Sequence, residues 1–179
     1  MNRRLAEGLT PEEPHAATSP SVAVIALGAN LGDRTATMAA ALAELDRMPL
    51  SRVTAAADPI ESVAVTLSGP DATAPAYLNT VALVETRLAP TVLLGYLHAI
   101  EDRNGRERRE RWGDRTLDLD LIAYGDVRSD TAVLTLPHPR AAERDFVLEP
   151  WLRIEPGAVL PGAGRVADLL ERVRAEGAS

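Results

Sequence analysis

The stretch TLDLDLIAY, residues 116–124, alternates apolar with polar side chains and is followed by Gly125 and Asp126. Such alternation is typical of a β-strand that turns one face toward a core, and the Gly-Asp pair predicts a hairpin turn. Side chains two positions apart on a strand point to the same side, at roughly 7 Å. The stretch therefore predicts a strand that carries Asp118 and Asp120 on one face.

Apolar runs and turn residues predict the other elements of the fold. The predicted strands cover residues 21–28, 52–62 and 77–86, with a hairpin return strand at 133–136. The predicted helices cover residues 33–48 (capped by Asp33), 90–104 (ended by Gly105), a short piece of 141–152, and 166–175. The polar stretch 66–75 is predicted to be a mobile loop. The order βαββαβ predicts an α+β sandwich, a ferredoxin-like antiparallel sheet flanked by helices with C-terminal additions.

Length and composition predict one domain over residues 21–179, preceded by a flexible tail, residues 1–20, that has no apolar signal region. No cysteine occurs among the 179 residues, which excludes disulfides, thiolate metal sites and cysteine nucleophiles. No stretch approaches the ~20 apolar residues that a membrane span needs. We therefore expect a cytoplasmic protein, acting as a monomer without a membrane partner.

The charge of the chain restricts its partners. The net charge is −7, which argues against general nucleic-acid binding because that function requires a basic face. All 19 basic residues are Arg, so a Walker loop with its phosphate-binding Lys is excluded. Any phosphate site in this protein must use Arg side chains.

Arginines are concentrated just before the two aspartates. Six of them occur within thirteen residues, at positions 103, 106, 108, 109, 111 and 115. An isolated Asp-Leu-Asp is commonly a half-exposed strand, and Glu107 and Glu110 are able to pair with some of these arginines in a solvated helix end. Carboxylates beside an Arg cluster nevertheless suit a polyphosphate with its magnesium. No Ser, Cys or Lys nucleophile with a neighbouring base is evident, which favours phosphoryl-type transfer.

The pattern R-W-G-x-R-T-L-D-L-D-L-I at residues 111–122, with A-L-G-A-N-L-G-D near the start and Y-L-N in the middle, resembles the 6-hydroxymethyl-7,8-dihydropterin pyrophosphokinase family over residues 22–170. The resemblance implies an enzyme of folate biosynthesis. It would transfer pyrophosphate from ATP to the hydroxymethyl group of the reduced pterin, release AMP, and use two magnesium ions.

The resemblance also implies roles for individual residues. Asp118 and Asp120 would hold the metal ions and, with Arg106 and Arg115, form the catalytic set. The ATP contacts would be Glu101, Arg108, Trp112, Arg115, Leu121, Thr135, His138 and Arg144. The pterin contacts would be Gly28, Ser62, Tyr77, Asn79, Asp118 and Phe146, with the rings of Tyr77 and Phe146 on the two faces of the pterin.

The sequence departs from the family at several positions. Residues 60–64 read IESVA where the family has an aromatic, an acid, Thr and two Pro, and the next loop is longer, so the alignment of Ser62 stays open. Further departures, which suggest altered ATP affinity, are His98, Asp114, Val133 and Pro139. A catalytically idle nucleotide-binding domain is the alternative interpretation. An RNA-binding module is disfavoured by charge and by the scarcity of aromatic residues.

Overall fold

A five-stranded antiparallel sheet forms the centre of the protein. The structure is a computed structural model that describes residues 19–62, 64–66, 69–71, 76–104 and 116–177. The strands of the central sheet are β1 (Ser21–Ala29), β2 (Ser51–Ala56), β3 (Ile60–Ser62), β6 (Tyr77–Thr86) and β7 (Asp118–Tyr124). The short strands β4 (Ala64–Thr66) and β5 (Gly69–Asp71) form a hairpin between β3 and β6.

The strand order is β2-β6-β1-β7, with β3 paired to the other end of β6, and all neighbours run antiparallel. The helices α1 (Arg34–Asp46) and α2 (Pro90–Arg103) connect β1 to β2 and β6 to β7. This is the predicted βαββαβ order in an α+β, ferredoxin-like arrangement.

Both faces of the sheet are buried. On one face, Ile25, Leu27 and Leu119 pack with α1 and α2. On the other face, Val24 and Val81 pack with two C-terminal helices, α3 (Asp145–Ile154) and α4 (Val166–Gly177). The C-terminal additions thus supply a third layer, which explains why β6 is buried on both sides along most of its length.

Local signals set several boundaries correctly. The Asp33 carboxylate accepts a hydrogen bond from the Ala36 backbone N–H at 2.9 Å and caps α1, as predicted. The second helix begins at Pro90, where the missing N–H costs nothing. It ends one residue earlier than expected, with Asn104 as its C-cap, and Gly105 lies outside the described residues.

Three expectations need correction, and one hairpin was not predicted. The extended segment 52–62 is two strands, β2 and β3, and part of the predicted loop 66–75 belongs to the β4–β5 hairpin. The return strand predicted at 133–136 is only β9 (Thr135–Leu136), and it pairs with β8 (Ser129–Asp130) instead of β7. A hairpin of β10 (Val159–Leu160) and β11 (Gly164–Arg165) was not predicted.

Among the described residues, no helix combines the length and the apolar character that a membrane crossing requires.

Candidate active site

The two aspartates of β7 lie on one face of the sheet, as predicted. Asp118 and Asp120 are partly exposed, whereas Leu119 between them is buried against α2. The alternation ends at Ile122, which has no partner on β1 because the register shifts between Val24 and Ile25. This bulge turns both Ile122 and Ala123 toward α3 and α4, so the strand becomes fully buried beyond the aspartates.

A cross-strand row connects the aspartates to the predicted pterin residues. Asn79 on β6 pairs with Gly28 on β1, and Gly28 pairs with Asp118 on β7. Side chains in such a row share a face, with neighbouring strands about 5 Å apart. A Cβ placed on Gly28 would lie 3.2 Å from Asn79 Oδ1 and 3.9 Å from Tyr77 Cδ1. Gly28 therefore leaves a gap in the row, bordered by the amide of Asn79 and the ring of Tyr77.

The structure brings Ser62 into this group. Ser62 pairs with Tyr77 across β3 and β6, and its Oγ accepts a hydrogen bond from Asn79 Nδ2 at 2.7 Å. Asn79 is buried, so this contact holds its amide with Oδ1 toward Gly28. The structure thus places Ser62 beside Asn79 and Tyr77, and its role toward a pterin stays a prediction.

A residue that the sequence did not single out holds this corner in place. Arg34, at the start of α1, donates hydrogen bonds to the Ala76 carbonyl at 2.5 Å and to the Glu61 carboxylate at 2.9 Å. Glu61 lies on β3 and Ala76 directly precedes β6, so one guanidinium ties both ends of the intervening chain to α1. No local sequence pattern indicates a contact between residues 42 positions apart.

Arg144 and Phe146 approach the same face from the start of α3. Arg144 Nη1 lies 2.9 Å from Asp120 Oδ2, and its guanidinium carbon lies 5.7 Å from the centre of the Phe146 ring. Phe146 packs against the core between the sheet and α3. The sequence predicted these two residues for different substrates, and the structure places their side chains in contact.

His138 lies on the other side of Asp120, with Nε2 3.8 Å from Oδ1. Burial lowers the pKa of His138, and Arg144 and Arg140 lower it further, although Asp120 and Asp118 oppose the shift. The His138 backbone N–H donates to the Ile122 carbonyl at 2.8 Å, which anchors the loop to β7. A neutral imidazole is therefore favoured beside the carboxylate at neutral pH.

A cavity of about 350 Å³ opens along the outer edge of β7. One wall comes from α2, including Leu94, His98 and Glu101, and the other from the segment around β9. It contains the two aspartates and, of the predicted ATP contacts, Glu101, Leu121, Thr135 and His138. The departures Val133 and Pro139 also line it, so they are placed where they would contact a ligand.

The other predicted site residues are Arg106, Arg108, Trp112 and Arg115, which lie outside the described residues, as does Asp114. Their roles remain those implied by the resemblance. Their segment, residues 105–115, directly precedes the strand with the aspartates and follows α2, which borders the cavity.

The donor set fits magnesium bound together with phosphate. In the part of the chain that the structure describes, no group of three or more His, Cys, Asp or Glu side chains is arranged to hold a metal ion. Within the described residues, Asp118 and Asp120 thus supply two carboxylates, too few protein ligands to surround a metal ion by themselves. Magnesium is commonly held by one or two carboxylates plus phosphate oxygens and water.

Comparisons with known proteins agree with this geometry. The family model described as 7,8-dihydro-6-hydroxymethylpterin-pyrophosphokinase (HPPK) matches residues 24–156. A 2-amino-4-hydroxy-6-hydroxymethyldihydropteridine pyrophosphokinase of Synechocystis is 40% identical over 84% of this chain and 75% of its own length. A protein of the same name from Pseudomonas aeruginosa is 38% identical over 86% of this chain and 92% of its own length.

A solved structure shares the fold. A crystal structure of a Plasmodium falciparum HPPK-DHPS variant with STZ-DHP superimposes with a TM-score of 0.68 at 11% identity. The match covers 90% of this chain but only 47% of that longer chain, so it concerns the fold of one part. Together with the family match over the strands that carry Gly28, Asn79 and Asp118, these findings show that the chain belongs to the 7,8-dihydro-6-hydroxymethylpterin-pyrophosphokinase family.

Proposed function

We propose that this protein transfers the pyrophosphate of ATP to the hydroxymethyl group of 6-hydroxymethyl-7,8-dihydropterin, giving the pterin diphosphate and AMP in folate biosynthesis. The row Asn79–Gly28–Asp118 is the observation that carries the proposal. It joins an amide that can hydrogen-bond a flat heterocycle to a carboxylate that can hold a metal–phosphate group. A substrate with a ring at one end and a reacting hydroxyl at the other fits this order.

The two substrates would bind on opposite sides of the carboxylates. ATP would enter the cavity at the outer edge of β7, with Leu121, Thr135 and His138 along its wall. The pterin would lie over Gly28, between the rings of Tyr77 and Phe146, with its polar edge at Asn79 and Ser62. Ring stacking on aromatic side chains and paired amide hydrogen bonds are the interactions such a heterocycle requires.

Asp118 and Asp120 would hold two magnesium ions, which neutralise the phosphate charge and orient the phosphate oxygens. Asp118 shares the row of the pterin residues, so its carboxylate would face the hydroxymethyl group. Asp120 is one row further along, beside Ala26, and would face the nucleotide. Arg144, now paired with Asp120, would turn toward the phosphates or remain against Phe146.

In the transfer, the pterin hydroxyl oxygen forms a bond to the β-phosphorus of ATP, and its proton passes to water. The bond from that phosphorus to the oxygen bridging the α- and β-phosphates breaks, and AMP leaves with that oxygen. Such transfers depend on alignment and charge neutralisation more than on covalent help from the protein. Arg106 and Arg115 would supply the positive charge that stabilises the transferred group.

The test is a reaction with ATP, magnesium and the reduced pterin, followed by chromatography of nucleotides and pterins. We expect AMP and pterin diphosphate in equal amounts, with no ADP. A matched reaction with Asp120→Asn should yield neither product. Calorimetric binding of both substrates to the wild-type chain without AMP release would instead support the idle nucleotide-binding domain.

A further inference from the structure

Glu101 is a buried carboxylate beside the proposed metal site. It lies on the last turn of α2 and is only 2% exposed. Its Oε1 accepts a hydrogen bond from the Leu119 backbone N–H at 2.9 Å. Burying a carboxylate is costly unless hydrogen bonds compensate, so this contact is a strong and directional link between α2 and β7.

The partner of Glu101 is at a special position on β7. In the described part of the chain, β7 is an outermost strand of the central sheet, because β1 pairs with its inner side and no strand pairs with its outer side. An outer strand presents unpaired N–H and C=O groups that need other partners. The Leu119 N–H donates a hydrogen bond to Glu101, and three residues later the Ile122 carbonyl accepts one from the His138 N–H.

Leu119 is also the residue between the two aspartates. Its N–H belongs to the peptide plane that joins Asp118 to Leu119. A hydrogen bond to that N–H therefore restricts the backbone that carries both carboxylates. Among the described residues, β1 pairs with the inner side of the first part of β7, and the bond from Glu101 adds a contact on its outer side.

We propose that Glu101 is a positioning residue that fixes the spacing and direction of Asp118 and Asp120 by holding the Leu119 N–H. The inference rests on the proposed function, because the spacing matters only if the two carboxylates bind cations together. It differs from the ATP contact that the resemblance implies. Although Glu101 borders the cavity, it exposes almost no surface to a ligand, and its described contact with β7 is the hydrogen bond to the Leu119 backbone.

Three variants separate the hydrogen bond from charge and from stability. Glu101→Gln keeps an acceptor and removes the charge, whereas Glu101→Met keeps the approximate size and removes the acceptor. Ile100→Val is the matched control, since it removes a buried methyl group from the residue next to Glu101 and keeps both the carboxylate and the Leu119 N–H. Each variant is studied as the full chain, well below its melting temperature.

Two measurements are made on each variant without turnover. Hydrogen exchange followed by NMR reports the protection of the Leu119 amide. Electron paramagnetic resonance reports the affinity for Mn²⁺, alone and with a non-hydrolysable ATP analogue. For Glu101→Met we expect Leu119 protection and Mn²⁺ affinity each to fall about tenfold, as for the loss of one charge-assisted hydrogen bond. Glu101→Gln keeps a weaker, neutral acceptor and should lose about threefold in both measurements, whereas Ile100→Val should stay within about twofold of the wild type.

The outcomes decide between the roles. If Glu101→Gln loses Mn²⁺ affinity as strongly as Glu101→Met, the carboxylate acts through its charge or on the nucleotide, and the proposal is overturned. Unchanged Leu119 protection in Glu101→Met also overturns it. Should Glu101→Met fail to fold, Glu101→Gln still decides, because a loss of Mn²⁺ affinity there without a parallel loss of Leu119 protection contradicts the proposal. Absence of Mn²⁺ binding in the wild type would reject the metal site itself, while the exchange of Leu119 would still test the backbone contact.

Discussion

Arg144 forms an ion pair with Asp120, with 2.9 Å between Nη1 and Oδ2, while its guanidinium also lies over the Phe146 ring. One side chain thus contacts a carboxylate of the proposed metal site and an aromatic ring of the proposed pterin pocket. The Arg144 and Asp120 side chains are only 21% and 30% exposed, so salt screens their attraction less than that of a surface pair. A metal ion that binds Asp120 must compete with this guanidinium.

Arg144→Gln should therefore tighten the binding of Mn²⁺ to the nucleotide-free protein by several-fold, because it removes both the competitor and its positive charge. Electron paramagnetic resonance measures this affinity. Arg140→Gln removes the same charge from an exposed position nearby and serves as the control, for which we expect a smaller change. Equal effects of the two variants would mean that the ion pair with Asp120 does not matter for metal binding.

Asp118→Asn and Asp120→Asn should each lower turnover by about 10³-fold or more, because an amide holds a cation far less well than a carboxylate does. Steady-state rates of AMP formation measure the loss. Both side chains are partly exposed, so the melting temperature should change little. Asp126→Asn, in the exposed turn after β7, is the control and should retain full turnover. Normal turnover of either active-site variant would refute the metal assignment.

Gly28→Ala should weaken pterin binding about tenfold while leaving ATP binding unchanged. The added Cβ would lie 3.2 Å from Asn79 Oδ1, so the amide must shift from the position in which Ser62 holds it. Fluorescence titration with the pterin and with a nucleotide analogue measures the two affinities. Gly95→Ala on α2 meets no atom within 4 Å and should bind both normally, with a gain in stability of about 0.5–1 kcal/mol. Equal weakening of both ligands by Gly28→Ala would argue for a general distortion of β1.

Glu44 links α1 to the end of α2, and its contribution to stability should depend on pH. Its carboxylate accepts hydrogen bonds from Asn104 at 2.9 Å and from Arg103 at 2.8 Å. Burial would raise the pKa of Glu44, but these hydrogen bonds and the Arg103 charge lower it below the ordinary 4.5. A carboxylate with a depressed pKa stabilises the fold above its unfolded-state pKa and loses that contribution as pH falls through the folded-state pKa.

Glu44→Gln should therefore lower the free energy of unfolding by about 1 kcal/mol at pH 7, and the difference from the wild type should shrink below about pH 4.5. Urea titrations at several pH values measure it. Glu85→Gln is the control, because its partner Arg52 is 3.4 Å away and both side chains are well exposed. We expect no measurable effect there, and a pH-independent loss in Glu44→Gln would contradict the assigned cause.

Much of the fold could be predicted because its signals are local. The strand at residues 77–86 and the start of α1 at Asp33 follow from apolar alternation and a capping side chain, and the structure confirms both. The pairing of Thr135 with Asp130 could not be predicted, since nothing in two short polar and apolar segments fixes which strand they join. The β4–β5 hairpin was not predicted for a similar reason. Gly69, Pro70 and Asp71 have low strand propensity, and they form a strand here because they pair with residues 64–66.

The candidate site divides in the same way. The shared face of Asp118 and Asp120 follows from the period of a strand alone, and the structure confirms it. The contacts of Asn79 with Ser62 and of Arg144 with Asp120 join residues 17 and 24 positions apart, and no spacing rule predicts them. The bulge at Ile122 could not be predicted, because residues 121–123 are all apolar and the sequence shows no break where the register shifts.

The double contact of Arg34 with Glu61 and the Ala76 carbonyl has a consequence for changes in chain length. Both contacts lie outside residues 62–75, so they do not depend on how many residues lie between Ser62 and Tyr77. Residues inserted between these two contacts should thus leave the pairing of β3 with β6 in place, which makes this segment a suitable position for a peptide tag or a fluorescent reporter.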